Sequence, residues 1–160
     1  MKSSESAPES APQTLLVAAG VVIEKGRVLL AQRKRGAHLA GKWELPGGKV
    51  EPGEDPRVTV RRELLEELGI EVVAGEVLDV TFHDYPEAGR RVLLLFFEAS
   101  RLPGSPEPRA VDVAAFEWAD QSGLDPARFP AADVAVVAKI RARLGQTTAT
   151  IPSETSSDTA

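Results

Sequence analysis

Cysteine is absent from the 160-residue chain. That excludes a disulfide scaffold, a thiolate nucleophile and a thiolate zinc site. Histidine occurs twice, so the chemistry available is that of carboxylates, hydroxyls, two imidazoles and metals held by oxygen. No apolar stretch approaches the roughly 18 residues that a membrane span needs, and the opening MKSSESAPESAPQ lacks the apolar segment of a secretory signal; the expectation is a cytoplasmic protein with no membrane partner. A basic excess is also missing, since 24 acidic residues stand against 19 basic ones for a net charge of −5. A protein that grips a nucleic-acid polymer through many phosphates needs the opposite balance. What remains is globular, with 42% hydrophobic and 27% charged residues, enough for one domain with a real core.

Residues 1–13 and 145–160 are dominated by Ser, Thr, Glu, Ala and Pro, compositions that cannot offset their own ordering entropy, and are expected to be disordered tails. The domain is then 14–144. Leu15 to Ile23 and Arg27 to Gln32 flank the turn Glu24-Lys25-Gly26-Arg27 and predict a hairpin. A polar loop over 34–42 leads to an extended Trp43–Leu45 and then Pro46-Gly47-Gly48. Pro56 to Leu68 predicts a helix, with Asp55 as cap, Pro56 in the first turn and Gly69 as stop. Val77–His83, Arg91–Glu98 and Val113–Trp118 predict strands, and Ala131–Leu144 a closing helix with Val134, Val137, Ile140 and Leu144 at helical spacing. Strands and helices in this order imply an α/β (α+β) domain with a mixed sheet between helical layers.

The chemistry concentrates in GKVEPGEDPRVTVRRELLEELGI, residues 48–70. Glu63, Glu66 and Glu67, spaced i, i+3, i+4, share one arc of the helix, and Val58, Leu64, Leu65 and Leu68 are expected on the opposite, core-facing arc. Three neighbouring carboxylates form either a solvated acidic face or a cage for a hard divalent cation, whose charge turns their repulsion into binding. Every position from Gly48 to Ile70 fits G-x5-E-x7-R-E-U-x-E-E-x-G-U, where U is a bulky aliphatic residue: Gly48, Glu54, Arg62, Glu63, Leu64, Glu66, Glu67, Gly69 and Ile70.

By this motif the chain resembles the Nudix hydrolases. The resemblance implies an α/β/α sandwich and hydrolysis of a nucleoside diphosphate linked to another moiety. It implies Mg²⁺, or Mn²⁺, held by Glu63, Glu66 and Glu67 with the Gly47 carbonyl, and Arg62 paired to Glu54. Over nearly the whole domain the chain is most similar to the MutT branch, which cleaves oxidised nucleoside triphosphates to monophosphate and pyrophosphate. AQRKRGAHLAGKWELPGGK then implies Arg33, His38, Glu44 and Lys49 as substrate contacts, Lys49 near the phosphates; FEWADQSGL implies Glu117 beside the metal; FPAADVAVVAKI implies a base-reading role for Asp133. The catalytic base is left between Glu54 and Glu117, and the state between monomer and homodimer. Phe82, Tyr85 and Phe97 are of the type that stacks on a base, but as aromatic residues on strands they read as core.

Asp133 departs from the branch, which has Asn here. An amide donates and accepts, matching the O6 acceptor and N7–H donor of 8-oxoguanine, whereas an ionised Asp only accepts. It is expected to take the N7–H, or guanine's N1–H and N2–H₂, or the exocyclic amine of cytosine, or else to cap the closing helix. CTP pyrophosphohydrolases resemble the chain comparably in LLAQR and GKVE, so CTP or a modified-cytosine nucleotide is the alternative substrate. A catalytically silent nucleotide-binding Nudix module is the alternative of another class, disfavoured by an intact set of acids.

Overall fold

The computed structural model describes residues 13–148. β1 (Thr14–Glu24) and β2 (Arg27–Gln32) form the expected hairpin, closed by Lys25 and Gly26. Both turn residues have positive φ, 50° and 72°, as the twist of a two-residue hairpin turn demands. β1 then serves as the hub of the sheet. On one edge it runs parallel to β6 (Arg90–Arg101) from Thr14↔Arg91 to Val22↔Ala99. Its other edge is divided: Ile23–Glu24 pair with β2, while Val17–Ala19 pair antiparallel with β4 (Gly47–Lys49). The Gly47-Gly48 segment, to which the sequence assigns no element, is therefore part of a short strand wedged into the fork between β1 and β2, fixed by Gly20 N–H to Pro46 O at 2.8 Å.

β2 also carries β3 (Trp43–Glu44) and β7 (Ala115–Ala119), and β6 carries β5 (Val72–Tyr85) at the far edge. β5 starts five residues before the expected Val77. Register shifts between Ala74 and Val77 and between Val77 and Asp79 destroy the two-residue alternation by which the first part of the strand would have been recognised.

α1 (Pro56–Leu68) lies on one face of the sheet and α2 (Val134–Thr148) on the other, which is the expected sandwich. Asp55 caps α1 through Arg57 N–H at 2.8 Å, a contact typically worth about 1 kcal/mol. The core stripe of α1 is Val60, Leu64 and Leu68, all fully buried, against Ala18, Val22 and Phe97. Gly20 lets the helix come this close, because a Cβ there would stand 2.9 Å from Val60 Cγ1. Val58 and Leu65, expected in the core, are each 51% exposed. The buried i, i+4, i+8 stripe adjoins the glutamate arc instead of opposing it, so Glu67 rides at the edge of the packed face.

The closing helix begins later and ends later than expected. Residues Ala131–Asp133 form a separate 3-10 turn before Val134. The helix continues past Leu144 to Thr148, with Gln121 packed over Gly145 and donating to Arg141 O, so residues 145–148 are not tail. The remainder of both expected tails lies outside the described residues. Among the described residues no helix is long and apolar enough to cross a membrane.

Candidate active site

The fork in the sheet brings the Gly47-Gly48 backbone against the glutamate edge of α1. Gly48 is required by this approach: a Cβ on it would strike the Glu63 carboxylate. Arg62 organises the outer side of the cluster. Its Nε and Nη2 grip both oxygens of Glu54 at 2.9 and 3.0 Å, and Nη1 reaches Glu63 at 3.0 Å and Glu66 at 3.3 Å. Nη2 also donates to Lys49 O at 3.1 Å, tying β4 to the helix. Thr59 Oγ1 donates to Glu54 at 2.5 Å. Arg62 first, and Thr59 after it, hold the Glu54 carboxyl down to about 2. A carboxylate so fully engaged is a clasp and a poor proton acceptor.

Glu67 is the opposite case. Burial, with Glu44 and Glu63 nearby, pushes its carboxyl up to about 9, and the Gly47 N–H only partly opposes this. Its Oε2 is buried with no hydrogen-bond partner among the described residues. Burial also raises Glu63 and Glu44, and Arg33 Nη1 contacts Glu44 at 2.6 Å. Glu44, expected only as a substrate contact, thus belongs to the acid cluster: its pairing with Ala31 on β2 turns it inward, which no local spacing in the sequence announces. Among the described residues no group of three or more His, Asp or Glu side chains is arranged to hold a metal ion, and Arg62 engages Glu63 and Glu66. The chemistry of the site nevertheless fits a divalent cation. Its donors are hard oxygens, one buried carboxylate oxygen is orphaned, and glycine backbone leaves room beside it.

Glu117 is not brought to this cluster. Its cross-strand partner is Leu30, which packs on the α2 side of the sheet, whereas Leu29 packs on the α1 side. Alternation along β7 therefore turns Glu117 toward α2. The cation that an acid on this strand requires is Arg128, at 2.7 Å, whose guanidinium also stacks over Trp43 at 5.0 Å. The expectation of Glu117 as a metal ligand or catalytic base is corrected accordingly.

Beside the acid cluster, on the α2 face, a cavity of about 240 Å³ opens. Arg33, His38, Glu44, Lys49 and Asp133 all line it, as do Gly47 and Gly48, so the expected substrate contacts converge with the expected metal-side backbone. Val17, Leu94 and Phe96 supply an apolar wall. Arg33 Nε donates to His38 O at 2.6 Å, fixing the 34–42 loop at the cavity rim. Asp133 is 5% exposed and its carboxyl makes no hydrogen bond among the described residues, so it is not the helix cap. Desolvation first, and Glu44 second, push it up to about 8, with Arg33 opposing. Tyr85 and Arg90 also line the cavity, and of these Arg90 is not singled out by the sequence. Tyr85, read as core, faces the cavity from the end of β5; Phe97 is core, while Phe82 is exposed. Alternation on β6 from Val92, Leu94 and Phe96 back to Arg90 is the signal that places that arginine.

A family model described as the NUDIX domain matches residues 14–140. The chain is 34% identical over 128 residues to the 8-oxo-dGTP diphosphatase of Escherichia coli (strain K12), covering 79% of this chain and 96% of that protein. It is 39% identical over 117 residues to the CTP pyrophosphohydrolase of the same organism, covering 71% and 85%. Among solved structures, a MutT NUDIX hydrolase from Burkholderia pseudomallei aligns with a TM-score of 0.64 at 29% identity, covering 79% of this chain and 97% of that one.

Proposed function

The chain belongs to the NUDIX domain family, and we propose that within it the enzyme cleaves oxidised purine nucleoside triphosphates, 8-oxo-dGTP foremost, to nucleoside monophosphate and pyrophosphate with Mg²⁺ as cofactor. Glu63, Glu66, Glu67 and the Gly47 carbonyl would hold the cation. Bound there, it would supply neutralisation of the pyrophosphate oxygens and a water of lowered pKa. Arg62 and Glu54 clamp the loop onto the helix, and Lys49 stands at the cavity mouth for the phosphates.

The observation that carries the substrate reading is Asp133. From the sequence alone it reads as ionised and able only to accept. Buried at the cavity wall, it holds its proton to about pH 8, so at neutral pH it offers a donor and an acceptor side by side, as an amide does. That pair complements O6 and N7–H of 8-oxoguanine. Unmodified guanine presents two acceptors at the same edge and leaves the carbonyl of Asp133 facing a lone pair. The same neutral carboxyl also complements N3 and the N4 amine of cytosine, and this observation favours CTP or a modified-cytosine nucleotide as the second reading. The similarity to an 8-oxo-dGTP diphosphatase over 96% of that protein supports the first.

The reaction type is tested by product analysis. With Mg²⁺, 8-oxo-dGTP is expected to give 8-oxo-dGMP and pyrophosphate in equal amounts, with activity abolished by chelator and restored by Mg²⁺ or Mn²⁺. Release of orthophosphate and a nucleoside diphosphate would contradict the proposed cleavage.

A further inference from the structure

The two rims of the cavity come from distant parts of the chain, the 34–42 loop and the 131–133 turn, and one side chain touches both. Tyr85 stands at the end of β5, nearly buried. Its hydroxyl oxygen accepts the Ala132 N–H at 3.2 Å, in the turn that carries Asp133. Its ring meets the His38 imidazole edge-on, centroids 5.2 Å apart at 81°, and is backed by His83 at 4.4 Å. Since Arg33 holds His38 O and Glu44, a continuous arc of contacts runs from Glu44 through Arg33, His38 and Tyr85 to Ala132 and Asp133.

We propose that Tyr85 is a positioning residue for nucleotide binding: its hydroxyl sets the turn that presents Asp133, and its ring sets the loop that presents His38. This rests on the reading of the cavity as the nucleotide site. The phenol is suited to the task because it combines a rigid ring of two torsions with an acceptor at its tip. The Ala132 N–H is buried, and without that acceptor it has no partner, so the turn shifts or breathes to find one. Phenylalanine keeps the ring contacts with His38 and His83 and removes only the acceptor.

In the full-length Tyr85→Phe enzyme, KM for the best nucleotide substrate is expected to rise about tenfold with kcat within about twofold of wild type. Amide exchange is expected to quicken at Ala132 and its turn neighbours while α1 keeps its protection. Unchanged KM and unchanged Ala132 exchange would overturn the proposal, as would exchange quickened uniformly through α2, which marks a role in general folding. Asp133→Ala, assayed in parallel, separates the two levels of inference. If that variant raises KM and Tyr85→Phe does not, the cavity reading stands and the Tyr85 proposal falls. If Asp133→Ala leaves KM unchanged, the nucleotide site lies elsewhere and both fall.

Discussion

Glu67→Gln is expected to lower kcat/KM by at least about three orders of magnitude, with the metal-free variant as stable as wild type or more so. The activity loss follows from charge. An amide oxygen lacks the negative charge that a divalent cation needs, and the loss of several kcal/mol of transition-state stabilisation corresponds to such a factor. The stability follows from burial. Glu67 is held up to about 9, so near pH 7 the metal-free protein already carries it protonated, and glutamine is close to isosteric with that form. The sign is fixed by linkage: a carboxyl raised from 4.5 to about 9 on folding destabilises increasingly as pH climbs between those values, and glutamine removes this slope. Kinetics with Mg²⁺ and chemical denaturation in chelator, run on the same preparation, check both halves. Retained activity would remove Glu67 from the metal assignment and would reopen the reading of a site whose acids are not catalytic. Lost activity together with lost stability would show that the residue's contribution is to packing.

Asp133→Asn carries the second large effect, and it is a change in pH dependence. Below about 4 the carboxyl is protonated in folded and unfolded chains alike. Between about 4 and 8 the unfolded chain releases the proton while the folded chain keeps it, so wild-type stability declines through this window and the decline is complete above about 8. A displacement of this size corresponds to several kcal/mol. The Asn variant has no such term, so its advantage over wild type is expected to grow from pH 5 to pH 8.5. Kinetics should move in parallel. Above pH 8 wild-type kcat/KM for 8-oxo-dGTP falls as Asp133 loses the donor, while the variant retains it, and taking the ratio of the two enzymes cancels any titration of the substrate itself. Denaturation profiles that stay parallel from pH 5 to pH 8.5, with superimposable kinetic profiles, would place an ionised Asp133 at the cavity wall and remove the donor–acceptor argument.

Local signals in the sequence were sufficient for elements whose determinants are local. The α1 boundaries follow from Asp55, Pro56 and Gly69, each within a residue or two of the backbone group it satisfies, and the Lys25-Gly26 turn specifies its own hairpin. The motif likewise fixed Glu54 as the partner of Arg62, since both lie on one loop–helix unit. What escaped depends on tertiary pairing. The periodicity of α1 admits more than one apolar arc, so it points equally to Val58 and Leu65 as core, and only the close approach at Gly20 selects the stripe of Val60, Leu64 and Leu68. The resemblance implies Glu117 beside the metal, but the β2–β7 register turns it to the opposite face, where Arg128 meets it. Glu44 and Asp133 are legible as contacts, yet their proton affinity comes first from desolvation, and then from neighbouring carboxylates, Glu63 acting on Glu44 and Glu44 on Asp133. That information is absent from any spacing along the chain.

In the proposed reading one cavity takes an oxidised purine through a neutral Asp133 while the neighbouring carboxylates serve the phosphates. Its most direct test is kcat/KM at pH 7 with Mg²⁺ on 8-oxo-dGTP, dGTP, dCTP, CTP and 5-substituted cytosine nucleotides under identical conditions. Preference for 8-oxo-dGTP over dGTP by at least about tenfold is predicted, the scale of one mispaired edge hydrogen bond, with every cytosine nucleotide below 8-oxo-dGTP. Cytosine nucleotides ahead of 8-oxo-dGTP by more than about tenfold would contradict it and make this a cytosine-nucleotide hydrolase.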